Sequence, residues 1–336
     1  MAEKNNATSL VLGGALLLIG LFVIIALVLV RSQAATTTVD ISNALPTNSL
    51  TKICAGDSVD EGCTAITTLT ITPGGVKTFD IWSKVEDTNG IDDVDIGGGV
   101  VAVLYRTAVG AGCSADKNDC YTGLTCAKEA EPFATQGWYR CNDVEISYWA
   151  DSTDASSDDY TNTTWTAKVT PSDAAGPASA PDTVTYALTD LASINFDLAT
   201  IDYGSLALNA VSSPVLATAT NYGNTDVDAV INADTTPMTC TIDGSIPLAN
   251  QKFDTDTGAT YGEMAKTLAT STNDIDFTAG NSAVSELCRR TSETNAVTDG
   301  ANFMIQIPAS GVGGTCSVAA TIVAEKQTSA CTGNGA

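Results

Sequence analysis

The sequence predicts a mainly β protein, with an N-terminal transmembrane helix followed by two antiparallel β-sandwich modules. Three observations carry this prediction. Leu10–Val30 contains no charged side chain, and about 20 apolar residues are what a helix needs to cross a hydrocarbon core of roughly 30 Å. The rest of the chain is rich in Thr, Ser, Ala, Asp, Asn and Gly, with 16% charged and 6% aromatic residues overall. That composition suits short strands joined by polar turns better than long amphipathic helices. Ten cysteines occur with no histidine and no Cys-x-x-Cys, so disulfides in an oxidising compartment are expected rather than zinc.

Residues 1–9 form a short polar tail and residues 10–30 a signal-anchor helix. A retained helix makes the chain a single-pass protein of the cell membrane, with its bulk extracellular. Ser32-Gln33-Ala34 has the small-x-small form of a signal cleavage site. Cleavage there would leave a secreted protein, although the apolar core is longer than the roughly 7–15 residues usual in a signal peptide. A third reading starts from the polar leader ending at Asn6-Ala7, the apolar helix and the β domain after it. This arrangement resembles archaeal-type pilins and archaellins, and the resemblance implies polymerisation into a filament. The processing site of that family follows a basic pair, where this chain has only Lys4. The C-terminal residues are polar, so attachment is expected at the N-terminus alone.

The first module is expected over residues 36–170. Strands are predicted at 66–71, 76–85, 100–105, 138–146 and 163–170, where apolar and polar residues alternate with a period of two. Pro73-Gly74-Gly75 and Thr88-Asn89-Gly90 are turn sequences between them. The spacing suits an immunoglobulin-like sandwich. Asn43-Ala44-Leu45-Pro46, Val85-Glu86-Asp87-Thr88-Asn89-Gly90 and Trp165-Thr166-Ala167-Lys168-Val169 also make the module similar to Ig-like and cadherin-like modules of prokaryotic surface proteins. A cysteine-bearing insertion, 110–141, departs from that outline. Residues 171–183, with three prolines among Ala, Ser and Gly, read as a linker of restricted flexibility.

The second module is expected over residues 184–336, also as an Ig-like sandwich. Val215–Asn221 and Val227–Ile231 flank Asn221-Tyr222-Gly223-Asn224 and read as a hairpin. With Ile201-Asp202-Tyr203-Gly204 ahead of it, this stretch resembles sandwich modules of the abnormal-spindle/hydin type, a likeness that implies a fold and no activity.

Loop-closure cost favours sequence-near cysteine pairs: Cys54–Cys63, Cys113–Cys120 and Cys126–Cys141, with Cys113–Cys126 or Cys120–Cys141 left open as exchanges. The pairing of Cys240, Cys288, Cys316 and Cys331 is not legible from spacing.

Function is argued mostly by exclusion. The 15 basic residues face 39 acidic ones, a net charge of −24, which excludes a nucleic-acid partner. Without histidine there is no Ser-His-Asp or Cys-His catalysis, and no phosphate loop is present, so no enzyme is expected and no cofactor is required. Asp87, Asn89, Asp92, Asp93 and Asp95 form the best metal candidate, a loop of hard oxygen donors suited to calcium. The alternative is a solvated turn. Asp151, Asp154, Asp158 and Asp159 make a looser acidic loop. Asn162-Thr163-Thr164 is a glycosylation sequon at Asn162. Trp82, Trp138, Trp149 and Trp165 read as packing residues before a carbohydrate platform.

The partners expected are the membrane, through Leu10–Val30, and a surface protein or glycan. The function expected is a non-enzymatic anchored surface protein acting in adhesion, envelope structure or partner binding. Its rivals are a self-associating filament subunit, pilin-like or donating the strand-prone segment 35–41 to a neighbour, and a secreted carbohydrate-binding module.

Overall fold

Period-two alternation becomes strand wherever an apolar face can be covered. The computed structural model describes residues 39, 42–56, 62–153, 163–256, 258–277, 287–291, 293 and 297–327. The segments 10–30 and 35–38, Asp154, Asp158, Asp159, Asn162 and Cys331 lie outside these, and so do the expectations placed on them. Among the described residues no helix is long and apolar enough to cross a membrane. From Asn43 onward the chain forms one compact unit.

Its first half contains β1 (Thr47–Ala55), β2 (Thr68–Leu69), β3 (Val76–Glu86), the short helix α1 (Ile91–Gly97), β4 (Gly99–Arg106), β5 (Cys120–Phe133), β6 (Gln136–Ser147), β7 (Trp165–Asp173), β8 (Gly176–Pro177) and β9 (Asp182–Leu188). These strands make one sheet in the order β1-β3-β6-β5-β4-β7-β9-β2, with β8 paired to β7. The sheet folds over on itself through β5. Cys120–Cys126 pair with β4, whereas Ala127–Phe133 pair with β6. The Cys126–Cys141 disulfide sits at that corner. The folded sheet encloses Phe79, Ile81, Leu104, Tyr139, Ile146 and Trp165, and each large side chain so buried contributes about 1.5–3 kcal/mol.

Two expectations are corrected here. Residues 110–141 are not an insertion, because β5 is the central ladder joining the two layers of the sheet. Residues 171–183 are not a linker: β7 continues through Pro171 to Asp173, and β9 from Asp182 pairs with β7 in the same sheet. Proline carries no donor, but Pro171 opposes Val100 on β4 and accepts through its carbonyl from Ala178 N. The ladder therefore tolerates it.

The second half contains β10 (Ile194–Phe196), β11 (Val215–Asn221), β12 (Val227–Ala233), β13 (Met238–Cys240), β14 (Asp243–Ile246), β15 (Gln251–Asp254), β16 (Lys266–Thr267), β17 (Asn273–Asp274), β18 (Thr298–Ile305), β19 (Val312–Gly313), β20 (Cys316–Ser317) and β21 (Ala320–Lys326). A sheet β10-β11-β18-β15-β16 and a sheet β17-β12-β21 share a core of Ile231, Phe253, Leu268, Phe277, Leu287 and Phe303. A small sheet, β19-β14-β13-β20, is pinned by a disulfide between Cys240 and Cys316, which stand opposite each other on β13 and β20.

The expected hairpin over 215–231 is a crossover between layers. β11 and β12 lie in different sheets, because the turn between them is held by groups other than a strand ladder. Asn221 Nδ2 donates to the carbonyls of Thr225 and Leu287, and Gly223 N donates to Asn221 Oδ1. Gly223 packs so closely that a Cβ there would stand 2.0 Å from Leu191 O. The Asp202-Tyr203-Gly204 segment is irregular and closes an Asx turn, Gly204 N donating to Asp202 Oδ1 at 2.8 Å.

Candidate functional site

Three places in the molecule gather chemistry: an acidic corner at α1, a polar junction between the two sandwiches, and a groove in the second sandwich.

The corner collects the residues expected to bind calcium and divides them. Lys128 on β5 takes Asp92 at 2.7 Å, Asp95 at 2.8 Å and Glu131 at 2.9 Å, so these carboxylates hold its ammonium well above the usual lysine range, Asp92 contributing most. Asp95 also accepts from the Tyr139 hydroxyl at 2.6 Å. Burial first and that hydrogen bond second push the phenol up. Asn89 Oδ1 accepts from Ala44 N at 2.7 Å. Asp87 and Asp93 lie apart from that ion pair and meet Asp173 at the end of β7. One carboxylate oxygen from each of the three lies within 4.8 Å of the others.

Local backbone chemistry aims this trio. Asp87 Oδ1 accepts from Asn89 N at 2.8 Å. Asp173 Oδ1 accepts from Ala175 N and Gly176 N at 2.8 and 2.9 Å. Asp93 Oδ2 accepts from Asn43 Nδ2 at 2.7 Å. The Gly97-Gly98 pair lets the end of α1 press on β7, since a Cβ on Gly97 would lie 2.1 Å from Ala174 N. Asp173 was missed from the sequence because it falls in the proline-rich stretch. The alternation of Trp165, Ala167 and Val169, carried on through Pro171 to Asp173, was the available signal.

The junction is built around Asp151, which is 1% exposed. Its Oδ1 accepts from Arg289 of the second sandwich and from Asn118 Nδ2 at 3.3 Å, and its Oδ2 faces the buried Arg106 guanidinium at 3.8 Å. Burial pushes the carboxyl up, against the pull of Arg289 and Arg106. Asp151, expected in a loose acidic loop, is therefore an ion-pair centre. Asn224 Nδ2 donates to Ala150 O and Thr189 O at 3.0 and 3.1 Å, and Leu191 N donates to Asn224 Oδ1 at 2.7 Å. Arg290 lies over Trp149 at 5.0 Å, and Tyr148 meets Tyr222 at 5.8 Å. No spacing in the sequence announces Arg106, Asp151 and Arg289 as partners.

The tryptophans are taken up by packing. Trp165 stacks near Tyr186 in the core, Trp82 lies under Arg140 at 5.5 Å, and Trp138 lies under Lys52 at 5.6 Å. In the second sandwich a groove of about 1080 Å³ opens between the segment 196–208 and the strands of the two layers, lined by Phe196, Ile201, Leu206, Phe303 and Ile322 among others.

The disulfides are Cys54–Cys63, Cys113–Cys120, Cys126–Cys141 and Cys240–Cys316. Cys288 is also disulfide-bonded. The three local pairs are those the spacing pointed to, and none of the alternative exchanges occurs. Such a set fits an oxidising, extracellular compartment.

Fold and bonding together define a β-rich, disulfide-bonded protein with a sandwich-like arrangement of several sheets. No protein-family model matches the chain, and no curated protein matches it significantly. Among solved structures it is similar to the CsuC–CsuE chaperone–tip adhesion subunit pre-assembly complex from archaic chaperone-usher Csu pili of Acinetobacter baumannii. The identity is 9% and the TM-score 0.32, over 82% of this chain and 99% of that one. It is also similar to the secreted serine protease VesC from Vibrio cholerae, with 9% identity and a TM-score of 0.18, over 78% of this chain and 49% of that one.

Proposed function

We propose that this chain is a non-enzymatic surface protein, held to the membrane by Leu10–Val30, whose two immunoglobulin-like sandwiches act as one stiff extracellular body in adhesion, envelope structure or partner binding. The observation that carries the reading is the junction. Flexible tethering of two modules needs a polar, weakly packed linker. Here a buried ion cluster, the Asn224 hydrogen bonds and two aromatic contacts fasten one sandwich to the other. Disulfides support the outside location, since thiols are kept reduced in a cytosol. A tag placed after Ala336 should react with an impermeant reagent on intact cells. Labelling only after permeabilisation would refute the orientation.

A second reading, a self-associating filament subunit, is favoured by the groove in the second sandwich. A groove of about 1080 Å³ with a mixed polar and apolar lining has room for an extended segment, and residues 35–41 of another copy supply one with three threonines, Val39 and Ile41. Strand addition of this kind uses backbone hydrogen bonds for affinity and pockets for register. Electron microscopy of the full chain in detergent should show filaments that deletion of residues 35–41 removes. Monomers at all concentrations would leave the first reading alone.

A further inference from the structure

We propose that Asp87, Asp93 and Asp173 form a divalent-cation site that takes calcium. The site draws one carboxylate from each of three elements: the end of β3, the helix α1 and the end of β7. All three ligand oxygens fall within 4.8 Å of one another. Calcium binds oxygen at about 2.3–2.6 Å, so ligands on opposite sides of one ion stand about 4.6–5.2 Å apart. The span of the trio falls within the diameter of that shell.

What separates this trio from an ordinary acidic surface is burial without a partner. Asp87 and Asp173 are 1% and 2% exposed, and the Oδ2 of each is buried with no hydrogen-bond partner. The other oxygen of each is already engaged by backbone N–H groups, which leaves Oδ2 as the oxygen without a partner. Buried like-charged oxygens of this kind need a positive partner or a proton. Among the described residues none of the three is ion-paired to a lysine or arginine. Lys128 is committed to Asp92, Asp95 and Glu131.

The donor set selects the ion class. The three ligands are hard carboxylate oxygens and the chain has no histidine, which disfavours zinc and copper and suits calcium or magnesium. Calcium accepts the irregular, part-backbone coordination that a loop and a strand end can complete, whereas magnesium demands a compact octahedron. The consequence is local ordering. Asn43 and Ala44 hydrogen-bond to Asp93 and Asn89, so the ion would fasten the segment entering the first sandwich onto α1 and β7. The site stands whether or not the surface reading is right.

The test uses the full chain in detergent, stripped with EDTA and titrated with calcium chloride by calorimetry. One ion should bind with a Kd of about 10⁻⁴–10⁻³ M, the range of extracellular modules. Asp87→Asn and Asp173→Asn should each weaken binding at least tenfold. The half-buried Asp93→Asn serves as a third variant that puts least strain on the fold. Asp92→Asn, whose carboxylate belongs to Lys128, should leave binding within twofold. Magnesium chloride at equal concentration should compete poorly. Folded wild-type protein, verified by circular dichroism, that binds no calcium at 10 mM would overturn the site. So would loss of binding in Asp92→Asn with retention in Asp87→Asn and Asp173→Asn. Equal competition by magnesium would overturn the choice of ion.

Discussion

Replacing Asp151 by Asn removes one negative charge from the junction while keeping the side-chain volume. In the native chain this carboxylate stands between Arg106, whose side chain is 2% exposed, and Arg289, at 11%. At 3.8 Å a charge pair is worth about 4 kcal/mol at an effective dielectric constant near 20. Taking one partner out of a buried pair typically costs about 3–5 kcal/mol, because the remaining charge is stranded. Two features move this case toward the lower end. Removal of the carboxylate also relieves its own burial penalty, which is what pushes its pKa up. Arg106 keeps its donation to Ser152 O at 2.7 Å and its bond to Thr163. The expected loss is therefore about 3 kcal/mol. Urea unfolding followed by tryptophan fluorescence reads it directly, since Trp165 Nε1 donates to Asp151 O at 2.8 Å and Trp149 lies two residues away. Adding Arg289→Met should return part of the loss, with a coupling energy of about 1–3 kcal/mol. A loss below about 1 kcal/mol, or strictly additive single and double variants, would refute the view that this cluster locks the two sandwiches.

Burial, first among its causes, raises the Asp228 carboxyl from 3.8 to about 6, with Asp276 and Asp274 adding to the push. The folded state therefore holds its proton to higher pH than the unfolded chain, so this group's stabilisation is present below pH 4 and is lost as pH rises to about 6. Asp228→Asn should raise the melting temperature at pH 7 and converge with the wild type near pH 4; parallel curves across that window would show that the group is not responsible. For the disulfides, chain entropy predicts stability losses of about 4.5, 3 and 2.4 kcal/mol on removing Cys240–Cys316, Cys126–Cys141 and Cys113–Cys120 as paired alanine variants. Their sequence separations are 76, 15 and 7. Urea midpoints at constant m-value measure the order, and a reversed order would mean that native packing, not loop closure, sets these contributions.

Much of the first sandwich was written locally. The strands around Phe79, Leu104, Tyr139 and Trp165 follow from period-two alternation, which needs only near neighbours to be read. The turns at Gly74 and Gly90 and the three short-range disulfides are local in the same sense. The acidic run 87–95 was visible as a source of hard ligands, because composition and spacing are enough to see carboxylates gathered in one loop. What lay beyond reach was set by distance along the chain. Whether Val215–Asn221 and Val227–Ala233 pair or diverge depends on Leu191 and Leu287 capturing the turn between them. Asp173 joins Asp87 and Asp93 only because Gly97 lets α1 close on β7, while Lys128, from a strand more than thirty residues on, draws Asp92 and Asp95 away. Asp151 meets Arg289 across 138 positions. The sequence by itself determined the β character, the oxidising compartment and the supply of charged groups. Tertiary structure alone decided which charges neutralise one another and which carboxylates are left facing each other, because burial and pairing are properties of neighbours in space.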